Sequence, residues 1–356
     1  IKMIGKTIAF SLCFVLVVSG CKTTDSATKS KASASAAAKR PASTKSGMKK
    51  YSEVITKDAV SDDGLFDVHK VDDSYFFEIP NELLDREMLL VTRVSGSVQN
   101  LSFGGAGQKV RGQQVLRWER KDDNILLRHV SYSSVADADD PIYKSVRNNN
   151  FEPVVFSFKI EALSKDTSGV VIDVTKLYTT DVNLLSGLTD SQRKSFQVRR
   201  LDGSRSFIER VTSYPENLEV RHVLTYDASS PPDNRDTGTI SLEVNQSMIL
   251  LPSEPMTPRN YDERVGYFSI GQYDYSSDEH KAATNRFITR YKLVPKDKEA
   301  YLRGELVEPV EPIVYYLDPA TPVKWRKYLV QGINDWQVAF EEAGFKNAII
   351  GKVAPT

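Results

Sequence analysis

The chain of 356 residues carries 47 Lys and Arg against 47 Asp and Glu, a formal net charge of zero, and 40% hydrophobic residues. At the usual ~100–200 residues per domain this length suits about two domains, and the apolar content excludes wholesale disorder. Neutrality excludes a dedicated nucleic-acid binder, whose footprint is a basic domain, so no nucleic-acid partner is expected.

The zero is an average over unlike segments. Residues 1–20 hold only Lys2 and Lys6, and residues 22–50 hold eight bases against the single acid Asp25, which leaves 37 bases and 46 acids for 51–356. Lys2 and Lys6 flank Met3, which reads as the start, so Ile1-Lys2 reads as a translated fragment end. The apolar run Ile8–Val18 that follows is too short to span a ~30 Å hydrocarbon core permanently. It ends in Val18-Ser19-Gly20-Cys21, small residues ahead of a nucleophilic thiol. This leader resembles a bacterial lipoprotein signal. The resemblance implies a signal peptide over 1–21 ending at a lipidated Cys21, and a membrane as partner through that residue. It also implies the cell envelope of a Gram-negative bacterium, with Lys22 after the anchor favouring the outer membrane. Two or three acyl chains anchor stably where one is marginal. Cys13 falls in the removed leader, so the body is expected to be stable without disulfides. Residues 22–50, nearly free of apolar bulk apart from Met48, read as a flexible tether.

From Tyr51 the pattern is β. A small accessory domain is expected over 51–97, with strands at Tyr75–Pro80 and Glu87–Val94 around a short helix or turn at Asn81–Arg86. Gly104-Gly105-Ala106-Gly107 reads as a junction and lacks the Lys-Ser/Thr of a phosphate loop. A larger β-rich domain is expected over 105–305. Val115–Arg120 and Ile125–Tyr132 flank the polar turn Lys121–Asn124 as a hairpin. Glu152–Leu163, Val170–Thr175, Ser206–Tyr214 and Val265–Gln272 are further strand candidates, and Leu218–Tyr226 and Ile240–Leu250 alternate cleanly. The spacing predicts an antiparallel sandwich or barrel-like body.

The character changes over 311–356. Ile313–Leu317 is a continuous apolar run, as in a strand buried on both faces. Thr321 and Pro322 suit the start of a helix whose buried face is Trp325, Leu329, Ile333, Trp336 and Phe340, closed after about 22 residues by Gly344. Phe345–Ile350 is the next strand, giving a parallel βαβ unit.

Pro312–Asp318, Trp325 and Gly332–Phe345 resemble the opening of a zincin catalytic domain. The closest likeness is to the Met-zincin family of bacterial zinc-dependent metalloproteases, whose members carry two N-terminal domains of unknown function. Asp63–Lys70, Phe77–Pro80, Leu116–Arg120, Val171–Thr175 and Pro258–Phe268 are similar to segments of those domains. The resemblance implies a mainly β accessory region followed by the first βαβ of an α/β zincin-like domain. It also implies peptide-bond hydrolysis by zinc-activated water on a polypeptide substrate. The His-Glu-x-x-His that would hold Zn²⁺ is absent; His69, His129, His222 and His280 never come within ligand spacing. Residues 1–356 are therefore expected to be the inactive N-terminal portion of such an enzyme, with no catalytic or metal residue of their own. The alternative is a non-enzymatic surface lipoprotein whose β body binds polypeptide or glycan.

His222 lies on the apolar side of its strand and reads as a core histidine, with His129 similar; His69 and His280 lie among charges and read as surface groups. No Ser/His/Asp triad can be argued from residues so scattered. Asp137, Asp139 and Asp140 could offer hard oxygens to Ca²⁺, though without the interval and glycine of a calcium loop. Arg259, Asp262, Glu263 and Arg264 form a dense charged turn. It reads either as a salt-bridged spacer between domains or as a segment that docks on a catalytic cleft, with Asp262 capping the metal in a latent form.

Overall fold

Period-two alternation builds the body. In the strand over 217–228, Leu218, Val220, His222, Leu224 and Tyr226 are buried, while Glu219, Arg221 and Val223 between them are half-buried. The computed structural model describes residues 47–101, 106–233 and 235–355. The leader, Cys21, most of the tether, and Gly104 and Gly105 lie outside the described residues. The folded body begins before Tyr51: Met48 packs on the core, and the Lys49 N–H donates to the Glu161 carbonyl at 2.8 Å.

Helix α1 (Tyr51–Val54) precedes strands β1 (Val60–Asp62), β2 (Asp67–Val71), β3 (Ser74–Pro80) and β4 (Glu87–Ser97). Then come β5 (Gln114–Lys121), β6 (Asn124–Val130), β7 (Ser134–Val135), α2 (Tyr143–Asn149), β8 (Val154–Leu163) and β9 (Gly169–Asp173). Helices α3 (Thr175–Thr179) and α4 (Asp190–Ser195) lead to β10 (Val198–Leu201), β11 (Phe207–Ser213), β12 (Asn217–Ala228) and β13 (Thr239–Leu250). The last stretch holds β14 (Ser269–Asp274), β15 (Ala283–Ile288), α5 (Lys298–Leu302), β16 (Ile313–Leu317), α6 (Val323–Asn334), α7 (Gln337–Glu342) and β17 (Ile349–Val353).

Among the described residues, twelve strands form one antiparallel sheet in the order β1-β2-β3-β9-β8-β6-β5-β4-β13-β12-β10, with β11 also on β12. Its edges nearly meet. The Leu65 N–H donates to the Tyr214 carbonyl at 2.8 Å, and the Ser213 hydroxyl donates to the Phe66 carbonyl at 2.7 Å. The Ser213 N–H donates to the Asp62 carboxylate at 2.9 Å. Gly64 is required at this seam, since a Cβ there would lie 2.5 Å from Ser213 Oγ and 2.9 Å from its carbonyl carbon. The interior is filled by Phe66, Phe77, Trp118, Phe158 and Tyr178, the last carried in by α3. The barrel-like alternative is thus the one adopted, and closure hides edges that an open sheet would expose.

The segment 51–97, read as a small domain of its own, shares this sheet. β3 pairs with β9, and β4 pairs with both β5 and β13. Strand pairing across 100 residues of chain cannot be seen in local alternation. The β5–β6 hairpin turns at Asp122, with φ of +54°.

Beyond the barrel, β15-β14-β7 form a three-stranded sheet. The strand expected from Val265 begins only at Ser269, because 258–268 runs as a loop pinned to β15. β16 and β17 pair in parallel on either side of α6 and α7. The expected single helix tightens at its middle: Trp336 N–H bonds the Ile333 carbonyl three residues back, and Ala339 N–H bonds that of Trp336. Side chains on both sides of this step accept from the next strand's backbone, Asn334 from Gly351 N–H and Gln337 from Ala348 N–H. Pro322, not Thr321, is the N-cap. Gly344, at φ +89°, closes the run with a Schellman pair of bonds, Phe345 N–H to Phe340 and Gly344 N–H to Glu341. The expected buried face is not buried. Trp325, Leu329 and Trp336 are 52%, 47% and 65% exposed, and on β16 Tyr315 and Tyr316 are exposed too, since no described element covers that side.

Candidate functional site

The most organised polar cluster lies on β1–β3, beside the place where α1 packs on the outer face of the sheet against Ala162 of β8, Val171 of β9 and Phe76 of β3. Register places Ser61 directly opposite His69. His69, expected on the surface, is only 5% exposed, because Val54, Ile55 and Tyr51 of α1 and the residues after it cover this side of the sheet. The His69 face of β2 is therefore covered, which a charged sequence neighbourhood did not signal.

His69 Nε2 lies 3.1 Å from Glu78 Oε2, and Nδ1 lies 2.7 Å from Ser61 Oγ. The Tyr51 hydroxyl donates to the same Glu78 oxygen at 2.8 Å. Burial pushes the Glu78 carboxyl up, but the hydrogen bonds from His69 and Tyr51 outweigh it and hold the group below its ordinary range. An ionised Glu78 can only accept, so Nε2 carries a proton; in the neutral imidazole Nδ1 is then the acceptor for the Ser61 hydroxyl. Burial and the facing Glu78 charge drive the Tyr51 phenol well above its usual range. Ser61 itself is exposed, at the wall of an open cleft of about 810 Å³ that is also lined by Lys57, Asp63, Lys165 and Asp166. The Lys165 ammonium sits 5.1 Å over the Tyr51 ring.

His222 is a core histidine with both nitrogens satisfied. Nδ1–H donates to the Tyr178 carbonyl at 2.7 Å, and Nε2 accepts from the Gln246 amide at 3.1 Å. Gln246 also donates to the Leu185 carbonyl and accepts from the Thr92 hydroxyl. Burial pushes the imidazole down to about 4, so it is neutral at physiological pH. His129 is half-buried beside Gln114 at 2.7 Å, and His280 is exposed.

The charged turn is a local pair. Arg264 forks onto both carboxylate oxygens of Asp262, at 2.9 and 2.6 Å, with Arg264 88% exposed, and the guanidinium holds that carboxyl below its usual range. Arg259 contributes its carbonyl to Ile288 N–H, and the Arg286 guanidinium stacks 3.7 Å from the Tyr261 ring. The loop is thus fastened along β15, and the ion pair stays inside it. The Asp137 N–H donates to the Ser276 hydroxyl oxygen at 2.6 Å. Among the described residues no three His, Cys, Asp or Glu side chains converge to hold a metal, Asp137, Asp139 and Asp140 included. Among those residues, too, no helix is long and apolar enough to cross a membrane.

A second concavity, about 580 Å³, is apolar. Tyr291, Tyr315, Tyr328, Leu329, Trp336 and Phe340 line it, and the hydroxyls of Tyr291 and Tyr315 are hydrogen-bonded to each other. Sequence reasoning read its helical side as core.

Comparison with protein families matches residues 107–296 to a domain of unknown function, DUF5117. The chain belongs to that family. Residues 48–97 match a second domain of unknown function, DUF5118. In this DUF5117 protein the two matched regions do not form separate bodies, since β1–β4 share one sheet with β5, β6 and β8–β13. No curated protein and no solved structure matches the chain.

Proposed function

We propose that this DUF5117 chain is the envelope-anchored accessory portion of a zinc-dependent metallopeptidase of Met-zincin type, whose zinc-bearing helix lies outside residues 1–356. The observation that carries the reading is the unit β16–α6–α7–β17: a parallel strand pair around a helical run whose apolar face, Trp325, Tyr328, Leu329 and Trp336, is exposed. An exposed apolar patch of this kind marks a surface built to be covered, and a zincin domain would cover it with its further strands and helices. The two adjoining matches to domains of unknown function agree with the accessory arrangement that the resemblance implies.

The described residues do not fit a zinc site, since no three ligand-type side chains converge. The role assigned to this chain is mechanical. Cys21 anchors it to the outer membrane through the tether of residues 22–50, and the nearly closed barrel presents the first elements of the catalytic domain to polypeptide substrate in the envelope.

The test is the coding sequence beyond Thr356 and the protein it encodes. A His-Glu-x-x-His within the next ~150 residues, one domain's length, together with bound zinc and casein hydrolysis by the whole protein, is the expected result. A stop codon directly after Thr356 overturns it. The alternative, a non-enzymatic binder of glycan or polypeptide, rests on the exposed aromatics Tyr273 on β14 and Tyr267, Phe268 and Tyr275 in the segments that flank it. Cys21→Ser is expected to abolish incorporation of labelled fatty acid and release the protein from the membrane fraction. Unchanged membrane retention would refute the anchor.

A further inference from the structure

We propose that the cleft at Ser61 is a zinc-independent acyl-transfer site that hydrolyses esters of short-chain carboxylic acids. The basis is the hydrogen-bonded series Ser61 Oγ to His69 Nδ1 and His69 Nε2 to Glu78 Oε2, with separations of 2.7 and 3.1 Å. This is the geometry of a nucleophile, its base and the group that orients the base.

The two buried histidines of the molecule make the contrast clear. His222 spends both nitrogens on a carbonyl and an amide inside the core, so it has no reactive neighbour. His69 joins an exposed hydroxyl on its outer side to an ionised carboxylate on its inner side. A purely structural fastener would not need its hydroxyl open to a cleft of about 810 Å³. Ser61 is held on an edge strand by direct pairing with His69, and the Tyr51 hydroxyl donates to the same Glu78 oxygen that faces His69. Ser61 and His69 are the catalytic residues of the site; Glu78 and Tyr51 are positioning residues.

In the reaction, a bond forms between Ser61 Oγ and the ester carbonyl carbon while the Ser61 proton passes to His69 Nδ1. The π pair moves onto the carbonyl oxygen, for which Lys57 and Lys165 are the cationic groups of the cleft, beside the carboxylates Asp63, Asp67 and Asp166. Glu78 balances the imidazolium. When the carbonyl re-forms, the bond to the alkoxide breaks, and the alkoxide leaves as an alcohol carrying the proton from His69. A water then repeats the sequence, releasing the carboxylic acid and restoring Ser61. The sum is ester plus water giving acid plus alcohol, with no redox partner. Esters rather than amides fit the site because an alkoxide leaves with less assistance than an amine.

The test uses the full chain of 356 residues in the presence of EDTA, so it is independent of any zinc enzyme to which the chain belongs. The protein is treated with a fluorophosphonate probe and mapped by mass spectrometry, and p-nitrophenyl acetate hydrolysis is followed in parallel. The expected label is on Ser61. Ser61→Ala, at an exposed position, is expected to keep the far-ultraviolet spectrum and melting temperature of the parent, lose the label and lose hydrolysis by ~10²-fold or more, the usual scale of general-base catalysis. Glu78→Gln is expected to slow hydrolysis and shift the midpoint of its pH profile, which a merely structural role would not do. A folded parent chain that takes no label, takes it elsewhere, or hydrolyses ester no faster than Ser61→Ala overturns the proposal.

Discussion

Truncating Phe77 to Ala tests whether the regions 48–97 and 107–296 are one folding unit. Phe77 is fully buried, with ring centroids 5.8 Å from Phe66, 6.4 Å from Trp118 and 6.3 Å from Tyr178. Two of those neighbours belong to the region after 107, so the cavity opens in a core that both regions line. Removing a buried Phe costs about 3–5 kcal/mol, part transfer and part cavity. That is a large share of a typical stability of ~5–15 kcal/mol, so the variant should fold but with little reserve. With a urea slope near the upper end of the usual ~1–3 kcal/mol/M, as suits a barrel of this size, the midpoint should fall by about 1–2 M. The assay is equilibrium unfolding followed by fluorescence of Trp118, in a background where the two other tryptophans, Trp325 and Trp336, are Phe. A single transition displaced by that amount is expected. An unchanged Trp118 transition, or two transitions with only one displaced, would refute the joint core.

The buried His222 makes stability pH-dependent. Its folded value, about 4, lies below the ~6.5 of an unfolded histidine. The unfolded chain therefore binds more protons between these limits, and the contribution present above pH ~6.5 is lost as pH falls towards 4, about 3 kcal/mol in all. His222→Gln should flatten that part of the curve of urea midpoint against pH; an equal slope in the variant argues against it. Gln246→Ala should destabilise by at least ~1–3 kcal/mol, the cost of one orphaned buried group, because Thr92, Leu185 and His222 all lose a partner; a change too small to measure would sink the network. With both oxygens of Asp262 held by Arg264 in its own exposed loop, Asp262→Ala should change neither the melting temperature nor the activity of the unprocessed intact protein, and a rise in that activity would instead establish latency. The aromatic face of α6 and α7 should bind a hydrophobic dye in this chain, and Trp325→Ser with Trp336→Ser should reduce the signal several-fold; equal dye binding would place the exposed surface elsewhere.

Local sequence determined the strands and little of what they enclose. Alternation in β12 and β13, the polar turn of the β5–β6 hairpin and the terminal Gly344 could all be read directly, because period-two burial, turn residues and a left-handed cap act within a few residues. The βαβ order after residue 311 was legible in the same way. Partner choice was not. That β3 lies against β9 and β4 against β13 depends on which edges meet when the sheet closes, and no short window carries that information. Burial of His69 came from α1 covering the outer face, so a segment rich in charge around it hid a buried imidazole. The face of α6 shows the converse: helical periodicity marks a side as apolar, but only neighbouring elements decide whether it is covered. Ser61, His69 and Glu78 are eight and nine residues apart in sequence and mean nothing there. Register across two strand pairs brings them into line, and register is fixed by the fold as a whole.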